Sequence, residues 1–139
     1  MRHGSWSSEN SRHMDYLYGM RDRATAVVWR DGLLLLVRDR GFRQFSLPGG
    51  GLREGETAEE AVARELEEET GLSTVSVSPL PQCETSDIYN TYLVFEVQTA
   101  GTLHIDPGEL SAARWWDGRE AVPLFGYVAR VLARLHWPK

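Results

Sequence analysis

Between Thr57 and Thr70 the chain carries six glutamates (59, 60, 65, 67, 68 and 69) against a single arginine, Arg64. Every local signal there calls for a helix. Thr57 and Glu60 stand at capping-box spacing, and Gly71 occupies the place of a C-terminal stop. Ala58, Ala61, Val62 and Leu66 recur at intervals of three and four, which makes a stripe for a core. The charge pattern opposes that helix, because like charges three and four positions apart cost about 0.2–0.5 kcal/mol per pair. An acidic helix is most often only a solvated face. Here, however, Glu65, Glu68 and Glu69 emerge from neighbouring positions on one face, where a hard divalent cation with carboxylate and water ligands would offset the repulsion. Mg²⁺ suits the set better than Zn²⁺, since neither histidine nor cysteine lies within it. The loop Pro48-Gly49-Gly50-Gly51 just upstream can bring backbone carbonyls and N–H groups close to a metal or a phosphate, an approach open only to small residues.

This segment also accounts for the whole charge imbalance. The chain has 15 basic and 20 acidic residues and a net charge of −5, and outside 57–70 the two signs balance. No basic face remains for duplex DNA. Fourteen of the fifteen basic residues are arginine, Lys139 being the exception, and arginine suits bidentate phosphate contacts. The 139 residues, 42% of them hydrophobic, fit one compact domain. The longest apolar run, Leu33 to Val37, is far short of a membrane span, and the first twenty residues lack the apolar centre of a secretory signal. Cys83 stands alone, so neither an intrachain disulfide nor a multi-thiolate zinc site can form, which suits the cytoplasm.

Residues 1–20 are polar and aperiodic and are expected to be a flexible N-terminal arm, in part vector-derived, with the domain proper at 21–139. Two β-rich runs, 24–30 and 33–38, flank Asp31-Gly32 and predict a tight hairpin. Phe45 to Leu47 reads as a short strand stopped by Pro48. Further strands are expected over 74–80, 91–99 and 113–117. A second helix is expected from Arg119 or Glu120 to His136, with Val122, Phe125, Val128, Ala129, Leu132 and Leu135 at helical spacing and Pro123 in its first turn. Strands, helix, strands and helix predict an α/β fold with a mixed sheet covered by helices. Alternation sends Trp115 and Trp116 to opposite faces, leaving one of them for the core. Cys83 reads as a small buried residue.

From Gly50 the sequence runs GGLREGETAEEAVARELEEETGL, in which Gly50, Glu56, Arg64, Glu65, Leu66, Glu68, Glu69, Gly71 and Leu72 fill nine defined places across 23 positions. This resembles the signature box of the Nudix hydrolase family, in its MutT-like form. The resemblance implies an α/β/α sandwich whose box binds Mg²⁺ or Mn²⁺, and a hydrolase acting on a nucleoside diphosphate linked to another moiety. It implies metal ligation by Glu65, Glu68, Glu69 and the carbonyl of Gly49, with either Glu68 or Glu69 helping to activate water. Arg64 and Glu56 match positions that orient the catalytic loop and helix. Glu109, six residues before Trp115, matches an additional acid of the MutT-like branch, with Glu96 as the alternative. Terminal phosphate would fall to an arginine among Arg23, Arg38, Arg40 and Arg43. The base would stack on an aromatic among Trp29, Phe45, Tyr89, Tyr92, Trp115 and Trp116.

Downstream, Tyr89 lies 17 residues after Leu72, a spacing similar to that of diadenosine polyphosphate hydrolases. Pro79 and Pro81 come too early for the spacing linked to ADP-ribose hydrolases, and the secondary motifs of NADH and coenzyme A hydrolases are absent. The leading expectation is therefore a nucleoside triphosphate or oxidised nucleotide pyrophosphohydrolase. Behind it stand a diadenosine polyphosphate or ADP-ribose hydrolase and an inactive nucleotide-binding module of the same fold. A hydrolase of RNA ends would need a basic track that the balanced remainder does not offer. An isoprenoid diphosphate isomerase would need histidine ligands, whereas His3, His13, His104 and His136 are dispersed. The partner expected is a small nucleotide, with neither duplex DNA nor membrane, and the resemblance admits a homodimer.

Overall fold

The structure is a computed structural model that describes residues 21–138. The expected N-terminal arm lies outside the described residues. Strands β1 (Arg21–Val27), β2 (Trp29–Arg30), β3 (Leu33–Asp39) and β4 (Gly49–Gly51) precede helix α1 (Ala58–Thr70). Then come β5 (Ser73–Pro79), a 3₁₀ turn (Pro81–Cys83), β6 (Thr85–Ser86), β7 (Asn90–Ala100), β8 (Leu110–Trp116) and helix α2 (Gly126–Leu132). One sheet has the order β4-β1-β7-β5 with β6 also on β7; only β1 and β7 run parallel in it. The second sheet is the antiparallel β2-β3-β8.

Both sheets are covered on both faces, which explains why their central strands read as continuous apolar runs. Alternation along β3 sends Leu34 and Leu36 into one core and Leu35 into the other. Tyr92 and Val94 of β7 join the first core, under α2 residues Tyr127, Val128 and Val131. Leu93, Phe95 and Val97 join the second, under α1 residues Ala61, Val62 and Leu66. The expected α/β/α sandwich is the observed one. Cys83 is buried in the first core. Among the described residues no helix is long and apolar enough to cross a membrane.

The local signals around the acidic helix act as expected. The Thr57 hydroxyl accepts from the Glu60 N–H (3.1 Å) while the Glu60 carboxylate accepts from the Thr57 N–H (2.9 Å). Gly71, left-handed at φ 72°, donates its N–H to the Glu67 carbonyl (3.0 Å) and ends the helix. At the hairpin, Asp31 and Gly32 both have positive φ (53° and 77°), the two-residue turn that matches strand twist.

The C-terminal segment departs from expectation. Helix occupies only 126–132, and 119–125 is not helical: a turn at 119–120 leads to Leu124, which is bridged to Phe45. Phe45 donates to the Pro123 carbonyl (2.8 Å), and Phe125 donates back to the Phe45 carbonyl (3.1 Å). Two causes act together. Asp117 draws the Arg119 and Glu120 N–H groups onto its own carboxylate (2.8 and 3.0 Å), fixing a turn, and Pro123 has no N–H to give a helix. Val122, Leu124 and Phe125 still pack on the first core, so their spacing reflects packing without helix. After α2 the chain returns: the Trp137 indole donates to the Gly32 carbonyl (2.9 Å) and meets Trp29 and Trp116 edge to face (4.8 and 5.8 Å). Trp115 and Trp116 do point to opposite faces, yet both find apolar cover. Trp116 is buried in the first core, and Trp115 packs half-buried on the second under the Arg30 guanidinium.

Candidate active site

Strand β4 is an edge strand made only of glycine, lying antiparallel to β1 with Gly49 opposite Thr25, Gly50 opposite Ala24 and Gly51 opposite Arg23. Two of its glycines are required by space. A Cβ on Gly49, whose φ is 152°, would fall 2.1 Å from the Ala24 carbonyl oxygen. A Cβ on Gly50 would fall 2.0 Å from a carboxylate oxygen of Glu65, so the missing side chain is what lets that carboxylate lie against the strand.

Helix α1 presents its acids to this strand at graded depth. Glu69 is 5% exposed and accepts from the Gly49 N–H at 3.2 Å. Burial pushes its carboxyl up to about 8; Glu65 adds to the rise, while the Arg23 charge and the Gly49 N–H oppose it. Glu65 accepts from Arg64 Nη1 (2.6 Å). Glu68, farther out with its side chain 43% exposed, is bracketed by Arg64 Nη1 (3.0 Å) and Arg53 Nη2 (3.4 Å).

Arg64 is the hub. Its Nε and Nη2 clasp both oxygens of Glu56 (2.6 and 2.9 Å), and Nη2 also reaches the Gly51 carbonyl (3.2 Å). The clasp holds the Glu56 carboxyl below the usual carboxylate range and ties the loop after β4 to the helix. Glu56 in turn accepts from the Arg53 N–H at 2.8 Å.

The connection from β7 to β8 docks on the end of α1: His104 donates to the Thr70 carbonyl (2.7 Å) and Asp106 to the Glu69 carbonyl (3.0 Å). Docking places Glu109 within electrostatic reach of the acids. Its carboxyl is raised by partial burial and then by the charges of Glu65, Asp106, Glu68 and Asp39. Glu96 is elsewhere, opposite Val27 on the sheet face turned away from α1.

The structure therefore lines Gly49, Arg64, Glu65, Glu68 and Glu69 along β4 and one face of α1, with exposed Glu109 within electrostatic reach of Glu65 and Glu68. Arg23 lies beside them, its Nη2 donating to the Leu47 carbonyl (3.1 Å), its Nε buried without a partner and its charge felt by Glu69. Arg38 bonds Ser111 (3.0 Å) and covers the Phe45 ring, while Tyr89 stands 66% exposed at the start of β7. Neither contacts the glutamates. Two members escape a reading of the sequence. Asp39 follows a leucine-rich strand and looks like a turn residue, yet its charge acts on Glu69, Glu109 and Arg23. Arg53 looks like one more surface arginine of a loop.

Among the described residues no three acidic side chains already converge as a ready ligand set; Arg64 holds Glu65 and Glu68, and the Gly49 N–H holds Glu69. The donors nonetheless fit a hard cation. They are all oxygen, three of them fall within one helical turn, and the strand beside them lacks the Cβ that would close the gap to Glu65.

The NUDIX domain family model matches residues 20–135. The chain belongs to that family. This NUDIX domain is 32% identical over 117 residues to the NAD-capped RNA hydrolase NudC of Shigella dysenteriae serotype 1, covering 76% of this chain and 43% of that protein. It is 38% identical over 97 residues to a MutT-like protein of Streptomyces ambofaciens, covering 66% of this chain and 60% of that one. The chain thus spans about half the length of these curated relatives. In fold it is similar to the MutT NUDIX hydrolase of Burkholderia pseudomallei, with TM-score 0.75 and 24% identity, covering 84% of this chain and 98% of that one.

Proposed function

We propose that this NUDIX domain is a hydrolase of phosphoric anhydrides in a nucleoside diphosphate linked to another moiety, and that its substrate is a nucleoside triphosphate or oxidised nucleotide, cleaved to monophosphate and pyrophosphate. The observation that carries the reading is the stacking of Glu65, Glu68 and Glu69 on one helical face against the glycine strand β4. Mg²⁺ or Mn²⁺, held by Glu65, Glu68, Glu69, Glu109 and the Gly49 backbone, would supply Lewis acidity toward the diphosphate and toward water. The chain does the rest. Arg64 orients Glu65 and Glu68 and ties their helix to the loop, as a positioning residue. Glu68 or Glu69 accepts the proton of the attacking water. Arg23 places a positive charge behind Glu69. Cys83, buried and unpaired, suits action in the cytoplasm.

The test is product-resolved chromatography after incubation with nucleoside triphosphates, oxidised nucleotides, diadenosine polyphosphates and ADP-ribose, with Mg²⁺, with Mn²⁺ and with chelator. Metal-dependent monophosphate and pyrophosphate are expected from the first two classes. Release of orthophosphate instead, or turnover surviving chelator, would overturn the reading. A second reading draws on the exposed Tyr89 ring, which could stack a second base; selective cleavage of diadenosine polyphosphates would establish it. Nucleotide binding without turnover would make the domain an inactive binding module.

A further inference from the structure

Of the arginines beside the site, Arg64, Arg23, Arg38 and Arg40 are committed to other groups. Arg64 spends all three of its nitrogens on Glu56, Glu65, Glu68 and the Gly51 carbonyl. Arg23 is held under the sheet edge by the Leu47 carbonyl. Arg38 is bound to Ser111 and lies over Phe45, and Arg40 reaches the Pro107 carbonyl at 3.5 Å. Arg53 differs. Its side chain is 65% exposed, and its one ion pair is a 3.4 Å contact to Glu68 that is itself exposed to water. Such pairs are cheap to exchange.

The pivot of that side chain is fixed. The Arg53 N–H is bonded to Glu56 (2.8 Å), the Arg53 carbonyl accepts from the Glu56 N–H (3.0 Å), and Glu56 is clasped by Arg64. The Arg53 backbone therefore moves only if the loop does, while its guanidinium can swing. Exposure rises from Glu69 through Glu65 and Glu68 to Arg53, which puts Arg53 at the outer end, the mouth, of the acidic row. The residues it bonds and those flanking it, Leu52, Glu54, Glu56 and Glu68, include no aromatic, and its exposed guanidinium offers a phosphate a fork of N–H donors.

We infer that Arg53 is a phosphate-binding residue at the mouth, one that leaves Glu68 to engage the phosphate beyond the two flanking the cleaved bond. The inference rests on the site being a nucleotide hydrolase and adds what sets its preference for chain length: a third phosphate reaches Arg53 and a second does not. Glu68 is released in the same exchange, so substrate and cation do not compete for it.

Two binding measurements on the full chain test this. With Mg²⁺ present, calorimetry compares the α,β-methylene analogues of ATP and ADP on the wild type, Arg53→Ala, Arg53→Lys and the control Arg119→Ala, which removes an equal charge from the exposed turn after β8. Arg53→Ala is expected to weaken the triphosphate analogue about tenfold and the diphosphate analogue less than about twofold, with Arg53→Lys between and Arg119→Ala unchanged. With Mn²⁺ alone, Arg53→Ala is expected to bind the metal about two- to fivefold more tightly, because Glu68 has lost a competitor. General damage to the loop would weaken both. Equal loss of the two analogues, or weaker Mn²⁺ binding, overturns the inference and leaves the hydrolase reading standing. A wild type that binds neither analogue overturns both.

Discussion

The loop and helix at 48–70 and the return at 117–137 are each fixed by a handful of contacts, of opposite kinds. The first is held by directed charge: one guanidinium clasping Glu56, Glu65 and Glu68, and a reciprocal cap at Thr57. The second is held by the packing of Trp137 against Trp29 and Trp116, its indole bonded to Gly32, and by backbone bonds such as those joining Phe45 to Pro123 and Phe125. Directed charge places atoms to fractions of an ångström, which chemistry needs. Aromatic packing places mass, which stability needs. The expectation is that damage to the first is read in activity and damage to the second in melting.

The sharpest probe is Glu69→Gln. It keeps an acceptor for the Gly49 N–H and removes the carboxyl's capacity to take a proton or ligate a cation, so turnover should fall about 10²–10⁴-fold with the melting temperature unmoved. A matching loss of stability would erase the distinction. Arg64→Ala should cost both. It strands Glu56 and Glu65, both mostly buried, beside Glu68, and urea unfolding should register a loss of about 3 kcal/mol. Trp137→Ala should cost about 2 kcal/mol in the same measurement and leave turnover alone, through lost edge-to-face contacts and an unpaired Gly32 carbonyl. Thr57→Ala removes one partner of the cap and should cost about 1 kcal/mol.

The smallest effect should come from Asp87. Burial would raise its carboxyl, but the Tyr92 hydroxyl and the Asn90 and Tyr89 N–H groups outweigh burial and hold it below the ordinary value. Its contribution is therefore fully present above the unfolded value of about 3.9 and is lost as the pH falls through the lower folded one. The stability gap between wild type and Asp87→Asn should shrink from pH 6 to about pH 3. A gap that widens on acidification would refute the assignment.

What could be read without coordinates follows the same division. The cap at Thr57, the stop at Gly71, the hairpin at Asp31-Gly32 and the face shared by Glu65, Glu68 and Glu69 are all set by residues within a few positions of each other, so spacing is enough. The return is not legible in the same way, because Val122 and Phe125 pack at helical spacing on a core that their own neighbours do not reveal. Asp39 and Arg53 join the site through bends elsewhere in the chain, the bulge at the end of β3 and the turn closed by Glu56, and a lone charge in a loop has no period to betray it. Glu109 is suggested only by a family pattern, and the docking of its loop on α1 is what brings it within electrostatic reach of the acids.

The bond from Trp137 to Gly32 spans 105 residues. During synthesis the hairpin leaves the ribosome early, and its leucine-rich strand cannot be closed until β8 and then Trp137 have followed. β1 likewise waits for its parallel neighbour β7. Completion of this domain consequently waits for residue 137, and a chain halted before residue 110 leaves Leu33 to Val37 with one strand edge unpaired and open to other nascent chains.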